Sequence, residues 1–134
     1  MNETILRFFV ATILGGIADE FIHTHVGIPA PSYNIFIDTM AYLTKPLEAL
    51  GVGIIYYLIG DRLPTQSRFI KGILMGLLLL LAEGELIRQP FMNLLFASNT
   101  FKDIFLRQSQ VWLSHLVMTV IIALIINPKH SKLK

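Results

Sequence analysis

The segment 68–89, RFIKGILMGLLLLLAEGELIRQ, restricts what this chain can fold into more than any other stretch. Two cations open it, no polar side chain interrupts it from Gly72 to Ala82, and Glu83, Glu85, Arg88 and Gln89 then follow within seven residues. A helix rises 1.5 Å per residue, so about 20 residues are needed to cross roughly 30 Å of hydrocarbon. The segment therefore crosses a bilayer only if its charged end lies inside, or at the rim of, the apolar layer. Carboxylates and a guanidinium at that depth are costly unless they are paired or face a wet interior, which makes them candidates for function.

The rest of the chain agrees with a membrane setting. With 54% hydrophobic and 15% charged residues among 134, and a mean hydropathy of +0.62, it is too apolar for a soluble domain of this size, and a single membrane domain is expected. The absence of cysteine excludes disulfides, thiolate metal sites, haem attached through CxxC and thiol nucleophiles. A net charge of +2 and a pI near 9.0 do not imply nucleic acid, because the basic residues stand at segment ends and form no stripe. The N-terminus does not read as a cleavable signal: Arg7 is its only early cation, and Asp19 and Glu20 occupy positions where small residues are wanted.

Four spans are expected, at about 5–23, 39–60, 68–89 and 108–127, in an all-α four-helix bundle. Gly27, Pro29 and Pro31 mark the first connection, and Pro64 stops the second span before a cap at Thr65 or Ser67. Because 47–60 alone is too short to cross, the second span must include Lys45, Pro46 and Glu48. Pro90 is expected to bend or end the third helix. The amphipathic, aromatic stretch 91–105, broken at 98–100, reads as a short interfacial segment before the fourth. Seven of the eleven cations fall at the N-terminal end, in the 61–71 turn and in the tail, so the positive-inside rule puts both termini in the cytoplasm, with a bacterial inner (plasma) membrane as the expected location.

With that orientation the polar residues converge in the outer third of the bundle: Asp19, Glu20 and His23 from the first span, Lys45 and Glu48 from the second, Glu83, Glu85 and Arg88 from the third, and Gln108, Gln110 and His115 from the fourth. Snorkelling to headgroups is the plain alternative, and it fits Glu48, Glu83 and His115 least because they sit deepest. Ala11, Gly15 and Asp19 share one helix face, as do Gly72, Gly76 and Glu83. The small residues are therefore expected to pack against other helices, or against a second copy, and to lead Glu83 to a partner. Glu85 and Arg88, three apart, are expected to form a structural ion pair.

Glu20 and His23 form an ExxH, the spacing with which one helix offers a carboxylate and an imidazole to an ion. Di-iron bundles need two copies and this chain has one; a mononuclear divalent ion shared with Glu48, Glu83 and His115 is the minor option, and no cofactor is expected. No nucleophile elbow, HExxH, Walker loop or dinucleotide glycine pattern occurs, so nothing by motif marks an enzyme.

Three functions fit. The leading one is a small polytopic membrane protein whose outward-facing polar chamber binds or passes a small ion or polar solute, with proton coupling as one mode. Its ligand- or proton-binding residues would be Glu48, Glu83, His115, Lys45, Arg88 and Asp19. The second is an outer-leaflet, lipid-modifying enzyme using carboxylate and histidine acid-base chemistry. The third is a non-catalytic immunity, assembly or regulatory subunit. The lipid bilayer and either a second copy or another membrane protein are the expected partners, with no nucleic acid.

Overall fold

A computed structural model of the chain describes residues 2–27, 34–96 and 100–129. Among these residues the protein is all-α: α1 (Glu3–His25), α2 (Ile35–Ile59), a 3-10 turn (Gly60–Arg62), α3 (Arg68–Ala82), α4 (Arg88–Phe96) and α5 (Phe101–Ile125), with no strand. Each long helix begins where a short polar side chain accepts one of its unpaired N–H groups. Asn2 accepts from Thr4 N at 3.1 Å, Asn34 from Ile37 N at 2.9 Å, Ser67 from Ile70 N at 3.4 Å and Thr100 from Asp103 N at 3.3 Å.

These caps explain where the helices depart from their expected limits. Asn34 starts α2 four residues earlier than the expected Thr39, and Thr100 starts α5 well inside the stretch assigned to an interfacial segment. Only α4 lies between α3 and α5. Pro90 neither ends nor bends the third helix. That helix has already closed at Ala82, through Gly84 at a φ of 78°, where an L side chain is disfavoured. Gly84 N donates to Leu81 O at 3.1 Å and Leu86 N to Leu80 O at 3.1 Å. Pro90 instead sits in the first turn of α4, where a missing N–H costs nothing. Pro29, Pro31, Ser98, Asn99 and the tail beyond Lys129 lie outside the described residues.

α5 is the hub of the bundle. α1 and α3 pack along it most extensively, α2 packs on α1 and more lightly on α5, and α2 and α3 scarcely meet among the described residues. The glycines set these distances. A Cβ on Gly72 would stand 2.6 Å from Val120 Cα, and one on Gly76 would stand 2.7 Å from Thr119 Oγ1, so the small-residue face of α3 is used against α5 of the same chain. Gly15 faces Met118 and Ile122 likewise, and Ala11 is fully buried, so these four small residues serve packing within the chain rather than a second copy. The core comprises Ala11, Ala49, Val52, Tyr56, Met75, Met118, Ile122, Ala123 and Ile126. At the far end of α5, Arg7 donates to Ile125 O at 3.4 Å and Arg68 to Leu124 O at 3.2 Å, two cations on the carbonyl end of a helix dipole.

Large apolar side chains point outward along every long helix: Phe9, Leu14, Leu47, Leu58, Leu78 and Leu124 are all exposed. Asp19, Glu20, Lys71, Gln108, Gln110 and His115 are buried. Among the described residues one helix, Phe101–Ile125, is long and apolar enough by length and composition to cross a membrane. α1 and α2 have the length but carry charges within it, and α3 has 15 residues.

Candidate functional site

The site begins at a helix crossing. A Cβ on Gly16 would meet Pro46 N at 2.5 Å and Lys45 C at 2.7 Å, so only glycine lets α1 approach the backbone of α2 at that point. Asp19 lies one turn further along α1, and the crossing brings Lys45 Nζ to 2.7 Å from its Oδ2. Lys45 also donates to Glu48 Oε2 at 2.9 Å. The Asp19 carboxylate is wholly buried, and neither of its oxygens is aligned for a hydrogen bond: its contact with Lys45 is an ion pair by distance alone.

His115 comes from the hub helix and is almost fully buried. Its Nδ1 lies 3.0 Å from Val111 O, one turn back on α5, and 3.2 Å from Ser114 Oγ. A carbonyl only accepts, so the Val111 contact places a proton on Nδ1, and Nε2 is the ring nitrogen that faces the carboxylates. Nε2 stands 3.2 Å from Glu83 Oε2 and 3.5 Å from Glu48 Oε1, while Asp19 Oδ1 lies 3.6 Å from Nδ1. Glu83 reaches this point because it is the residue at which α3 stops; the Gly84 turn carries the chain away beyond it.

The four long helices thus contribute Asp19, Lys45 and Glu48, Glu83 and His115 to one cluster. It grades from a closed floor to an open mouth, with side-chain exposure of 0% at Asp19, 8% at His115, 32% at Glu48 and 37% at Glu83. Ligand atoms of Glu48, Glu83 and His115 all lie within 4.8 Å of one another, the one such group among the described residues. Three carboxylates against one ammonium leave two negative charges if His115 is neutral. Such an arrangement draws in a cation or protons.

Below the mouth, an apolar crevice of about 190 Å³ follows the gap between α2 and α3, lined by Val52 and Ile55 on one side and Met75, Leu78, Leu79 and Ala82 on the other. Its lining reaches Ala82, the residue before Glu83 in the chain.

Of the residues singled out by sequence, Asp19, Lys45, Glu48, Glu83 and His115 are brought together, and Arg88 is not. Arg88 is exposed on α4 and makes no ion pair with Glu85, because the Gly84 turn removes the helical spacing on which that pairing depended. Glu85 serves α5 instead: Gln108 Nε2 donates to its carboxylate at 2.9 Å and to its carbonyl at 2.8 Å, and Trp112 Nε1 donates to the same carbonyl at 3.0 Å. Glu20 and His23 are held on α1 away from any third ligand among the described residues, so the ExxH is not part of the cluster. Sequence reasoning missed two structural roles. Gln110 Nε2 caps the carbonyl end of α1 through Ile22 O and His23 O, and Lys71, buried, pairs with Asp61 at 3.5 Å. The glutamine spacing carries no signal for the first. The second was legible as a cation ten residues after an acid across a turn. Comparison with protein-family models, with characterised proteins and with solved structures finds no match to this chain.

Proposed function

We propose that this chain is an integral membrane protein whose helices α1, α2, α3 and α5 form a four-span bundle, both termini cytoplasmic, and that its cluster of ionisable groups binds a small ion or polar solute, for passage or as a proton-coupled step. The observation that carries the reading is the meeting of Asp19, Lys45, Glu48, Glu83 and His115 from four helices inside a bundle whose outer faces are apolar. A water-soluble chain of this size has no reason to bury Asp19, Glu20, Lys71 and His115 and expose Phe9, Leu14, Leu47, Leu58 and Leu78; a bilayer reverses both preferences. The short α3 fits as well. Its 15 residues rise about 22 Å against a hydrocarbon layer of about 30 Å, so with Arg68 at one face, Glu83 falls short of the other. A helix broken at that depth is tolerated where it lines a wet cavity.

The test is uptake and binding in reconstituted vesicles with Glu83→Gln. Its loss of flux or binding, with the helical content and unfolding profile retained, supports the chamber; unchanged uptake removes it. Because the chain has no cysteine, single cysteines at Asn2 and Lys129 report the side of each described end by membrane-impermeant labelling. Labelling of both from the cytoplasmic side alone is expected.

The apolar crevice between α2 and α3 favours a second reading, an outer-leaflet enzyme acting on a lipid or lipid-linked group. An acyl chain seated between those helices would bring its polar end to Glu48, Glu83 and His115, where a carboxylate and an imidazole can exchange protons with it. A spin-labelled lipid that is immobilised by the wild type and released by Leu78→Trp would favour that reading over ion passage.

A further inference from the structure

The chamber is chemically narrower than a general ion site. His115 offers Nε2 because Nδ1 is engaged by Val111 O, the outer-shell arrangement that orients metal-ligating histidines. Neither contact of Nε2 with the carboxylates has hydrogen-bond alignment, although both are short. A tetrahedral ion with bonds of 2.0–2.1 Å holds its ligand atoms about 3.3 Å apart. The separations of 3.2 Å and 3.5 Å from Nε2 to Glu83 and Glu48 are of that size. The third edge needs no more than a rotamer adjustment of two partly exposed glutamates, since all three atoms lie within 4.8 Å.

Charge and donor type point the same way. With His115 neutral, the three carboxylates and one ammonium of the cluster carry two negative charges, which one divalent ion balances. Asp19, wholly buried with neither oxygen hydrogen-bonded, stands directly behind the imidazole and enlarges the negative potential on that side. One imidazole nitrogen and two carboxylates suit zinc and its neighbours. Calcium takes six to eight oxygens and magnesium an octahedron of oxygens and waters.

We propose that Glu48 Oε1, Glu83 Oε2 and His115 Nε2 bind one divalent transition cation of the zinc class. Lys45 holds Glu48 through its other oxygen, and a fourth coordination position is left open at the mouth beside the α2 and α3 gap. Three protein ligands with one open position allow the ion to exchange or to carry a water, unlike a closed structural site. The proposal rests on the ion-binding reading above and names the ion.

The test uses the full chain in lipid nanodiscs, stripped with chelator and titrated with Co²⁺ as a spectroscopic probe, then with Zn²⁺ in competition. One Co²⁺ per chain with the intense visible absorption of a four- or five-coordinate ion is expected, displaced by Zn²⁺. Removing an outer-shell partner of a metal ligand costs roughly 10- to 100-fold in affinity, and removing a ligand should cost more. Glu83→Gln and His115→Gln should each weaken binding at least about a hundredfold, whereas Glu20→Gln and His23→Gln leave it unchanged. Glu83 is the most exposed ligand, so its variant keeps the test informative if His115→Gln fails to fold. Absent or purely octahedral Co²⁺ spectra, or binding that survives Glu83→Gln, overturn the metal assignment. If flux of protons or monovalent cations still depends on Glu83 in that case, the chamber stands without its metal; if flux is also indifferent to Glu83, both readings fall.

Discussion

Replacing Lys45 by Met keeps the length of the side chain and deletes the one ammonium among three carboxylates, so it measures what holds the cluster together. In the structure Nζ lies 2.7 Å from Asp19 Oδ2 and 2.9 Å from Glu48 Oε2. The two contacts are not equal. Glu48 keeps a third of its side chain exposed, so its share belongs with exposed ion pairs, at most about 1 kcal/mol. Asp19 is wholly buried, and leaving such a charge without its partner costs about 3–5 kcal/mol.

Lys45→Met should therefore destabilise the bundle by about 3–5 kcal/mol, most of it through Asp19. Asp19→Asn alone should cost less, because Lys45 retains Glu48 and remains partly exposed. The double variant removes both charges and leaves only polar and apolar groups in the floor, so it should be more stable than Lys45→Met. Groups in direct contact couple by about 0.5–3 kcal/mol, and this pair belongs in the upper half of that range. Reversible unfolding in mixed micelles, followed by far-UV circular dichroism for all four proteins, completes the cycle. A Lys45→Met variant within about 1 kcal/mol of the wild type, or effects that simply add, would refute the view that a buried ion pair anchors α2 to α1.

Gly16→Ala should be disruptive for the same crossing by a steric route. Its Cβ would sit 2.5 Å from Pro46 N, backbone that cannot step aside, so at least the 1–3 kcal/mol typical of overpacking is expected in the same assay, with impaired binding in the chamber. Gly84→Ala must hold an L residue at a φ of 78°, which costs about 1–2 kcal/mol and displaces Glu83; a change in ligand affinity larger than that of Gly51→Ala, whose Cβ meets nothing, checks the link between turn and site. Arg88→Ala should stay within about 0.5 kcal/mol of the wild type, because the guanidinium is exposed and pairs with no carboxylate among the described residues; a larger loss would restore the pairing with Glu85 that the turn removes.

Much of the site was legible in the linear chain. Glu48, Glu83 and His115 stand out because each interrupts or adjoins an apolar run where a charged or titratable group is expensive, and such groups must find each other or water. The glycine stripes were legible as contact faces for a similar reason, since small residues in Leu-rich helices mark close approach. Their destination was not. Gly72 and Gly76 meet Val120 and Thr119 of the same chain, a choice that depends on which helix lies alongside. The expected pairing of Glu85 with Arg88 failed for a local reason. It assumed helical spacing through residue 89, and a single glycine in the left-handed region ended the helix before either residue.

The sequence by itself determined that the chain is helical, that the helix after Pro64 starts at a cap at Thr65 or Ser67, and that costly polar groups must be satisfied together, because hydropathy, capping and burial cost are properties of residues and near neighbours. Only the tertiary structure decided that Asp19 and Lys45 form the floor, that His115 faces Glu48 and Glu83 through Nε2, and that Arg88 stands apart. Those outcomes depend on contacts between residues far apart in the chain: a glycine crossing at Gly16, a carbonyl at Val111 that orients the imidazole, and a turn at Gly84 that halts α3 where its carboxylate meets its partners.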